Sequence, residues 1–153
     1  MATNKQSYRD NPKLKRVGVQ MNYTEEQVLE YRRCAQDPVY FAKYINIVSL
    51  DHGIVPFNMY EFQKDMIKVF NENRFVIVKC PRQVGKTTTA VAYLLWVILF
   101  QDAQNIAILA NKGKTSRDIL AKLQLAYENL PIWLQQGVVE WNKGKIELEN
   151  DSK

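Results

Sequence analysis

Residues 76–90, VIVKCPRQVGKTTTA, are the feature that most restricts the fold of this chain. A run of β-branched and apolar residues ends at Cys80, a turn containing Pro81 and Gly85 follows, and an apolar segment begins at Lys86. A continuous apolar run of this kind is typical of a strand buried on both faces of a parallel sheet. Residues 86–100 are apolar nearly all round, which predicts a helix buried on several sides. The stretch therefore predicts a strand, a loop and a buried helix in that order.

A second strand and helix are predicted directly downstream. Residues 105–111, NIAILAN, repeat the pattern of a buried strand, and residues 114–130 have the apolar stripe of an amphipathic helix that ends before Pro131. Alternation of strand and helix is typical of a parallel α/β sheet. Residues 138–150, VVEWNKGKIELEN, differ, because apolar and polar positions alternate on both sides of a central turn. That pattern predicts a β-hairpin.

The chain before the loop is predicted to be mainly helical. Thr24 and Gln27 have the spacing of a capping box for a helix that ends near Ala35, and Asp37 with Pro38 suits the start of another. Residues 46–57 are expected to be extended, with a turn at residues 51–53. A further helix is predicted from Met59 to residues 71–73, with an apolar stripe formed by Met59, Phe62, Met66, Val69 and Phe70.

Length and charge limit the range of functions. A chain of 153 residues fits one domain, and its formal net charge of +5 is concentrated in residues 1–20, which hold five basic residues and one acidic residue. We expect these residues to form a basic, flexible arm that docks to a partner more readily than it recognises a DNA sequence. We divide the chain into this arm (1–20), a helical lead-in subregion (21–58) and a partial ATPase domain (59–153).

Cysteine and histidine usage favours an intracellular protein without a structural metal. Cys34 and Cys80 lack CxxC spacing and are expected to be free thiols, and His52 is the only histidine, which is too few for a zinc site of the usual kind. The N-terminus lacks the apolar core of a signal peptide, and the apolar run of residues 90–100 is too short to cross a bilayer. We therefore expect a soluble protein of the cytoplasm.

The loop between the first strand and its helix matches a phosphate-binding pattern. Residues 80–87 fit G-x-x-x-x-G-K-[S/T] at every fixed position except the first, where Cys80 replaces glycine. In such a loop, Lys86 would neutralise the β- and γ-phosphates of a nucleotide, Thr87 would give its hydroxyl to Mg²⁺, and Gly85 would allow close backbone approach. Pro81 can preset the turn. The alternative is a chance occurrence of Gly-Lys-Thr, against which the flanking strand and helix argue.

Two further positions suggest nucleotide recognition. Arg82 either pairs with a neighbouring acid or reaches the γ-phosphate as a charge-stabilising finger, from its own subunit or from the next. The amide of Gln63 could bond the N6 and N7 positions of adenine, while Phe62 could pack on the base. Phe62 also fits the apolar stripe as a core residue, whereas Gln63 points away from that stripe.

Over most of residues 24–150, the sequence resembles the ATPase domain of the large terminase subunit of T-even-like tailed phages. The similarity includes the segments at residues 37–70, the loop CPRQVGKTTTA, residues 106–131 and residues 137–150. Members of that family use an R-Q-x-G-K-T-T loop without the leading glycine. The resemblance implies a P-loop NTPase three-layer sandwich with a parallel core sheet, here truncated to two or three core strands, with an N-terminal helical subregion and a C-terminal β-hairpin.

The resemblance also implies a function and a set of partners. The intact family member couples ATP hydrolysis, with Mg²⁺, to translocation of duplex DNA through a portal protein into a prohead, as a ring homo-oligomer that also contacts the small terminase subunit. It works in the host cytoplasm and at the portal vertex, is not kept in the mature virion, and does not use a membrane. We assign catalysis to Arg82 and Lys86, Mg²⁺ to Thr87, and nucleotide binding to Phe62, Gln63, Pro81, Arg82, Gln83, Val84, Gly85, Lys86, Thr87 and Thr88.

An acidic motif that hydrolysis in this family requires is not found in the sequence. Residues 145–151 do not supply it, because their acids alternate with Ile146 and Leu148 as on a half-exposed strand, whereas the required strand is buried on both faces. We therefore expect an N-terminal fragment that binds ATP with little or no turnover and lacks the nuclease domain. Two alternatives remain open, a fragment of a superfamily 2 helicase-like ATPase, and a non-catalytic module that docks to portal or small terminase.

Overall fold

The computed structural model describes residues 6–49 and 51–153. Within these ranges the chain forms helices joined to short hairpins. The α-helices are α1 (Glu25–Gln36), α2 (Pro38–Phe41), α3 (Glu61–Glu72), α4 (Lys86–Phe100) and α5 (Gly113–Glu128). Two 3₁₀ turns follow α2 and α5, at Ala42–Tyr44 and Ile132–Leu134. No helix in the described part of the chain has both the length and the apolar character needed to cross a membrane.

The strands form three separate two-stranded sheets, all antiparallel. They are β1 (Ser7–Tyr8) with β2 (Asn11–Lys15), β3 (Asn46–Ser49) with β4 (Gly53–Pro56), and β5 (Val138–Trp141) with β6 (Ile146–Leu148). The β3–β4 pair confirms the predicted turn, with Ser49 opposite Gly53. The β5–β6 pair confirms the predicted C-terminal hairpin, with Trp141 opposite Ile146.

The predicted parallel core sheet is wrong, and with it the three-layer P-loop sandwich. Residues 76–80 and 105–110 have no regular secondary structure, and neither segment forms a strand of any sheet among the described residues. A strand in a parallel core is covered on both faces. Here the side chains of Ile77 and Leu109 are 98% and 91% exposed. Both apolar runs are therefore left open to solvent at these positions, and β-branched content alone did not imply pairing.

The helix starts that were predicted from capping residues are confirmed. The Thr24 side chain accepts from the Gln27 backbone N–H, while the Gln27 side chain accepts from the Thr24 N–H, a complete capping box for α1. Asp37 caps α2 by accepting from the Val39 N–H at 2.8 Å, with Pro38 at the first helical position. Local hydrogen bonds thus fix where the helices begin.

Helix α4 forms the centre of the core. Leu95 and Leu99 are fully buried, and the helix packs against both α3 and α5. The Trp96 indole N–H donates to the Cys34 carbonyl at 2.7 Å, which joins α4 to α1. An apolar helix between several others buries the large area that stabilises a domain of this size.

The N-terminal hairpin packs against residues 135–138. Leu14 and Lys15 are 2% and 7% exposed, although they lie in the predicted basic arm. Gln135, also buried, accepts from the Lys15 N–H and donates to the Lys13 carbonyl. A parallel bridge between Arg16 and Val138 continues this contact onto β5.

Candidate functional site

The loop at residues 81–85 connects the segment 76–80 to the first turn of α4. Two of its residues adopt left-handed backbone, Gln83 with φ 64° and Gly85 with φ 80°. Left-handed residues that alternate with ordinary ones bring backbone N–H groups together in anion-binding concavities. The loop therefore has the backbone pattern of an anion-binding turn, and it lies directly before a 15-residue helix.

Lys86 is placed across the mouth of this loop. It is the first residue of α4, its side chain is exposed, and its Nζ donates to the Pro81 carbonyl at 3.3 Å. Gly85 occupies the N-cap position and has no side chain that could bond the free amides of the first turn. The N–H groups and the positive end of the helix dipole are consequently available to an anion beside the ammonium group.

Gln63 connects α3 to the loop. This side chain is 3% exposed, its Oε1 accepts from the Tyr60 N–H at 3.0 Å, and its Nε2 donates to the Val84 carbonyl at 3.2 Å. Both ends of the amide are therefore bonded to main chain. Because a buried amide is costly to leave unpaired, these bonds hold the loop at a fixed distance from α3.

Close packing of Gln63 also explains the glycine at position 85. A Cβ on Gly85 would lie 2.6 Å from Gln63 Nε2, so the Gln63 amide would have to shift from its present position against the loop. The left-handed backbone of Gly85 is a second reason for glycine, since other residues adopt it at a cost. Two independent requirements, torsional and steric, thus coincide at this position.

The three threonines after Lys86 differ in how deeply they are buried. Thr87 and Thr88 are partly buried, while Thr89 is fully buried and its hydroxyl donates to the Gly85 carbonyl at 3.1 Å. Thr89 was not among the predicted site residues. Its position four residues after Gly85 is the signal that could have identified it, because a threonine hydroxyl can bond the carbonyl one turn earlier.

Arg82 and the residues around it form the exposed tip of the loop. Pro81, Arg82 and Gln83 are exposed, and Val84 is partly buried. The Arg82 guanidinium has no ion pair or hydrogen bond with any residue that the structure describes. Arg82 was predicted either to pair with a neighbouring acid or to reach a γ-phosphate. Among the described residues it does not form an ion pair with an acid.

A cavity lies beside the loop on the side of the two apolar segments. Its volume is about 380 Å³, and its lining includes Lys86 and Thr87 together with Val78 and Leu109. The polar start of α4 therefore borders an apolar recess between the segments 76–80 and 105–110.

The prediction that Phe62 belongs to a buried stripe is wrong, and so is the prediction that Gln63 points away from it. The buried residues of α3 are Gln63 and Ile67, whereas Phe62 is 46% exposed. The Phe62 ring stacks on the Tyr60 ring with 5.9 Å between centroids and 10° between planes. The two rings present an aromatic surface next to the residue that holds the loop.

Taken together, the site offers loop amides, one ammonium group and threonine hydroxyls at the start of a helix. This set of donors suits a polyphosphate with a hard cation, because N–H groups and ammonium bind phosphate oxygens and a hydroxyl is an oxygen ligand for Mg²⁺. A comparison with models of known protein families found none that matches the chain. The resemblance to large terminase subunits therefore stays a prediction from the sequence.

Proposed function

We propose that residues 80–88 bind the triphosphate of ATP with Mg²⁺, and that the chain is the ATP-binding part of a viral DNA-packaging motor. The observation that carries this proposal is the position of the Lys86 ammonium, 3.3 Å from the Pro81 carbonyl across a loop with two left-handed residues. The ammonium, the loop amides and the start of α4 are the groups that would bind phosphate oxygens.

The chemical groups of the loop residues and of the first turn of α4 determine the role that we assign to each residue. Lys86 neutralises phosphate charge, and the amides of Gln83, Val84 and Gly85 donate to phosphate oxygens. Thr87 would hold Mg²⁺ through its hydroxyl, and the ion would supply neutralisation of phosphate charge. Thr88 donates to the phosphates from the same turn. Thr89 and Gln63 keep the loop in position through their bonds to the Gly85 and Val84 carbonyls.

Base recognition is assigned to α3. The exposed Phe62 ring, stacked on Tyr60, gives an adenine a flat apolar surface. The Gln63 amide is hydrogen-bonded to the Tyr60 and Val84 backbones. It would have to give up one of these bonds before it could bind adenine. The structural support for Gln63 is as a positioning residue of the loop.

We infer the motor function from the candidate nucleotide site together with the sequence resemblance to large terminase subunits. In the intact motor, ATP hydrolysis would drive translocation of duplex DNA through the portal into the prohead, in a ring that also contacts the small terminase subunit. Arg82 is exposed, and we assign its guanidinium to the γ-phosphate of its own or a neighbouring subunit. For the chain by itself we expect ATP binding with little or no turnover.

Calorimetric titration with Mg·ATP tests the nucleotide site. The parent protein is expected to bind, and Lys86→Ala to bind about 10- to 100-fold more weakly, because a charge-assisted hydrogen bond contributes about 1.5–3 kcal/mol. Lys143→Ala, which removes the same charge from the β5–β6 turn, is the matched control and is expected to bind like the parent. No heat at millimolar Mg·ATP, or equal affinity in Lys86→Ala, would contradict the site.

A second measurement separates nucleotide binding from motor function. Binding of the chain to purified portal protein and to small terminase subunit, each with and without Mg·ATP, is expected to give a complex with at least one of them. Nucleotide binding without either complex would keep the ATP site and remove the packaging role. Separation of a forked DNA duplex by the protein would support the helicase-like alternative instead.

A further inference from the structure

A cavity lies between strand β3 and the helices α4 and α5. Its volume is about 290 Å³, near the lower end of the volumes found for small-molecule sites. The most deeply buried of its lining residues are Ile45, Val91 and Ala126, whose exposed fractions are 1%, 3% and 2%. Ile45 directly precedes β3, and the other two lie in α4 and α5. The packing of the hydrophobic core therefore shapes an apolar cavity.

Four polar side chains also line this cavity. Asn46 and Thr88 are partly buried, and Asp118 and Lys122 are exposed at its solvent side. Through its side chain, none of the four forms a hydrogen bond or an ion pair with any residue that the structure describes. An otherwise apolar cavity with a few polar groups is the usual composition of a site for a small molecule.

Asp118 and Lys122 bring opposite charges to the solvent side of the cavity. Residues four apart on a helix are neighbours, with about 5–6 Å between their Cβ atoms, and an acid that precedes a base in this way can pair with it. In the structure the two charged groups are not within the 4.0 Å of an ion pair. One carboxylate and one ammonium group thus remain available to a ligand.

We propose that this cavity binds a small zwitterion with an aromatic body, of the class of free aromatic α-amino acids. The aromatic body fills the apolar interior, the ligand ammonium pairs with Asp118, and the ligand carboxylate pairs with Lys122. A zwitterion is the complement of a rim that carries one charge of each sign. Apart from Thr88, the lining residues named above take no part in the candidate nucleotide site, so the proposal does not depend on nucleotide binding.

An NMR titration of the nucleotide-free protein with L-tryptophan tests the site. We expect a Kd of about 1 mM, the affinity typical of a ligand with about fifteen non-hydrogen atoms. The backbone amide signals of Ile47, Val91 and Ala121, which line the cavity, are expected to shift. The signal of Trp141, which lies in β5, is expected to stay in place.

Three analogues of the probe separate the contributions of its parts. Tryptamine lacks the carboxylate, and indole-3-propionate lacks the ammonium group. Each is expected to bind about two- to fivefold more weakly than L-tryptophan, because each loses one ion pair with an exposed partner. Glycine keeps both charges but lacks the aromatic body, and it is expected not to bind measurably, since burial of apolar surface supplies most of the affinity.

Two charge variants assign each ion pair to a residue. Asp118→Asn is expected to weaken L-tryptophan and tryptamine about two- to fivefold and to leave indole-3-propionate unchanged, and Lys122→Gln is expected to weaken L-tryptophan and indole-3-propionate and to leave tryptamine unchanged. Lys114→Gln is the matched control, because it removes an exposed charge of α5 from outside the cavity lining. Ala121→Phe enlarges an exposed lining residue and is expected to abolish binding of all three indoles.

Three outcomes would overturn the proposal. The first is the absence of shifts at about 10 mM L-tryptophan, tenfold above the expected Kd. The second is a set of shifts centred on Phe62, which would place the probe on the exposed aromatic surface of α3. The third is equal affinity for L-tryptophan, tryptamine and indole-3-propionate, or equal weakening by Asp118→Asn and Lys114→Gln, since either result would remove the recognition of charge.

Discussion

A single buried amide shows how a side chain controls the candidate site. Gln63 bonds the Tyr60 and Val84 backbones, and its amide would have to shift to admit a Cβ at position 85. The sequence identified the loop from Gly85, Lys86 and Thr87, because those residues are adjacent and have a fixed spacing. The contact of Gln63 with the loop could not be predicted, since it depends on the approach of two segments 21 residues apart.

Replacement of Gly85 by alanine is expected to destabilise the protein more than a comparable change elsewhere. Gly53→Ala is the matched control, because Gly53 has φ +70° with nothing within 4 Å of a built Cβ. The control is expected to cost about 1–2 kcal/mol for left-handed backbone alone, and Gly85→Ala to cost more because its Cβ also meets Gln63. Urea unfolding measures both.

The double variant Gly85→Ala with Gln63→Ala isolates the steric part. Removal of the Gln63 amide relieves the contact, so the two changes together are expected to cost less than the sum of the single changes. Additive costs would show that the contact with Gln63 is not what excludes a side chain at position 85.

Glu30 is expected to make stability depend on pH under acidic conditions. Hydrogen bonds from Lys43, Tyr44 and Tyr40 lower the pKa of Glu30 from 4.5 to about 2. Since the folded-state pKa is the lower one, this carboxylate contributes stability that is fully present above about pH 4.5 and is lost as the pH falls towards 2. Thermal unfolding between pH 6 and 2 is therefore expected to show a smaller acid-induced fall in Tm for Glu30→Gln than for the parent.

Glu72→Gln is the control for that experiment. Glu72 is an exposed glutamate at the end of α3 and forms no ion pair with the residues that the structure describes. Its replacement is expected to leave the acid-induced fall in Tm close to that of the parent. An equal effect of the two substitutions would remove the network around Glu30 as its cause.

At the scale of the secondary-structure elements, prediction succeeded where local chemistry decides and failed where partners decide. The starts of α1 and α2 and the turns of two hairpins follow from capping and turn residues that lie within a few positions of each other. Residues 76–80 and 105–110 have the composition of buried strands, yet strand pairing needs a neighbouring strand as well as a suitable sequence. The parallel sheet was predicted from these apolar runs, from their alternation with helices and from the family resemblance, and it is not formed by the described chain.

The capping box of α1 provides a test at this scale. Thr24→Ala removes the acceptor for the Gln27 N–H and is expected to reduce the free energy of unfolding by about 1 kcal/mol. Thr115→Ala is the control, because Thr115 is exposed in the first turn of α5 and does not occupy its N-cap. A urea titration in which both variants lose the same stability would show that the cap contributes nothing specific.

At the scale of the whole molecule, the N-terminal hairpin is fixed to the chain by polar groups more than 100 residues away. Gln135 bonds the Lys13 and Lys15 backbones, and Glu149 accepts from the Gly18 N–H at 3.2 Å while pairing with Lys15 at 3.5 Å. The basic character of residues 1–20 suggested an arm that stays apart from the domain. Its burial depends on distant partners, which no local pattern in the arm reveals.

Limited proteolysis measures that attachment. Gln135→Ala removes the acceptor for the Lys15 N–H and the donor to the Lys13 carbonyl, and it also leaves the Tyr127 and Leu130 carbonyls without the Gln135 amide. We expect trypsin to cleave after Lys13 and Lys15 several-fold faster in this variant, because release of the hairpin exposes its backbone. Mass spectrometry of timed samples identifies the cut sites.

Gln124→Ala is the control for the proteolysis. Gln124 donates to the Asn142 carbonyl in the β5–β6 turn, and among the described residues it has no hydrogen bond to the N-terminal hairpin. Its cleavage rate after Lys13 and Lys15 is expected to match that of the parent. Equal acceleration in both glutamine variants would mean that general destabilisation, and not loss of the attachment, exposes the hairpin.

The exposed side chains of Phe75, Ile77 and Leu109 affect how the protein responds to salt during purification. Their side chains are 82%, 98% and 91% exposed. Salting-out anions such as sulfate strengthen the tendency of such groups to leave water. The purified polypeptide should therefore bind tightly to a phenyl-substituted chromatography resin and precipitate at low ammonium sulfate, and it should be easiest to handle in dilute, low-salt buffer.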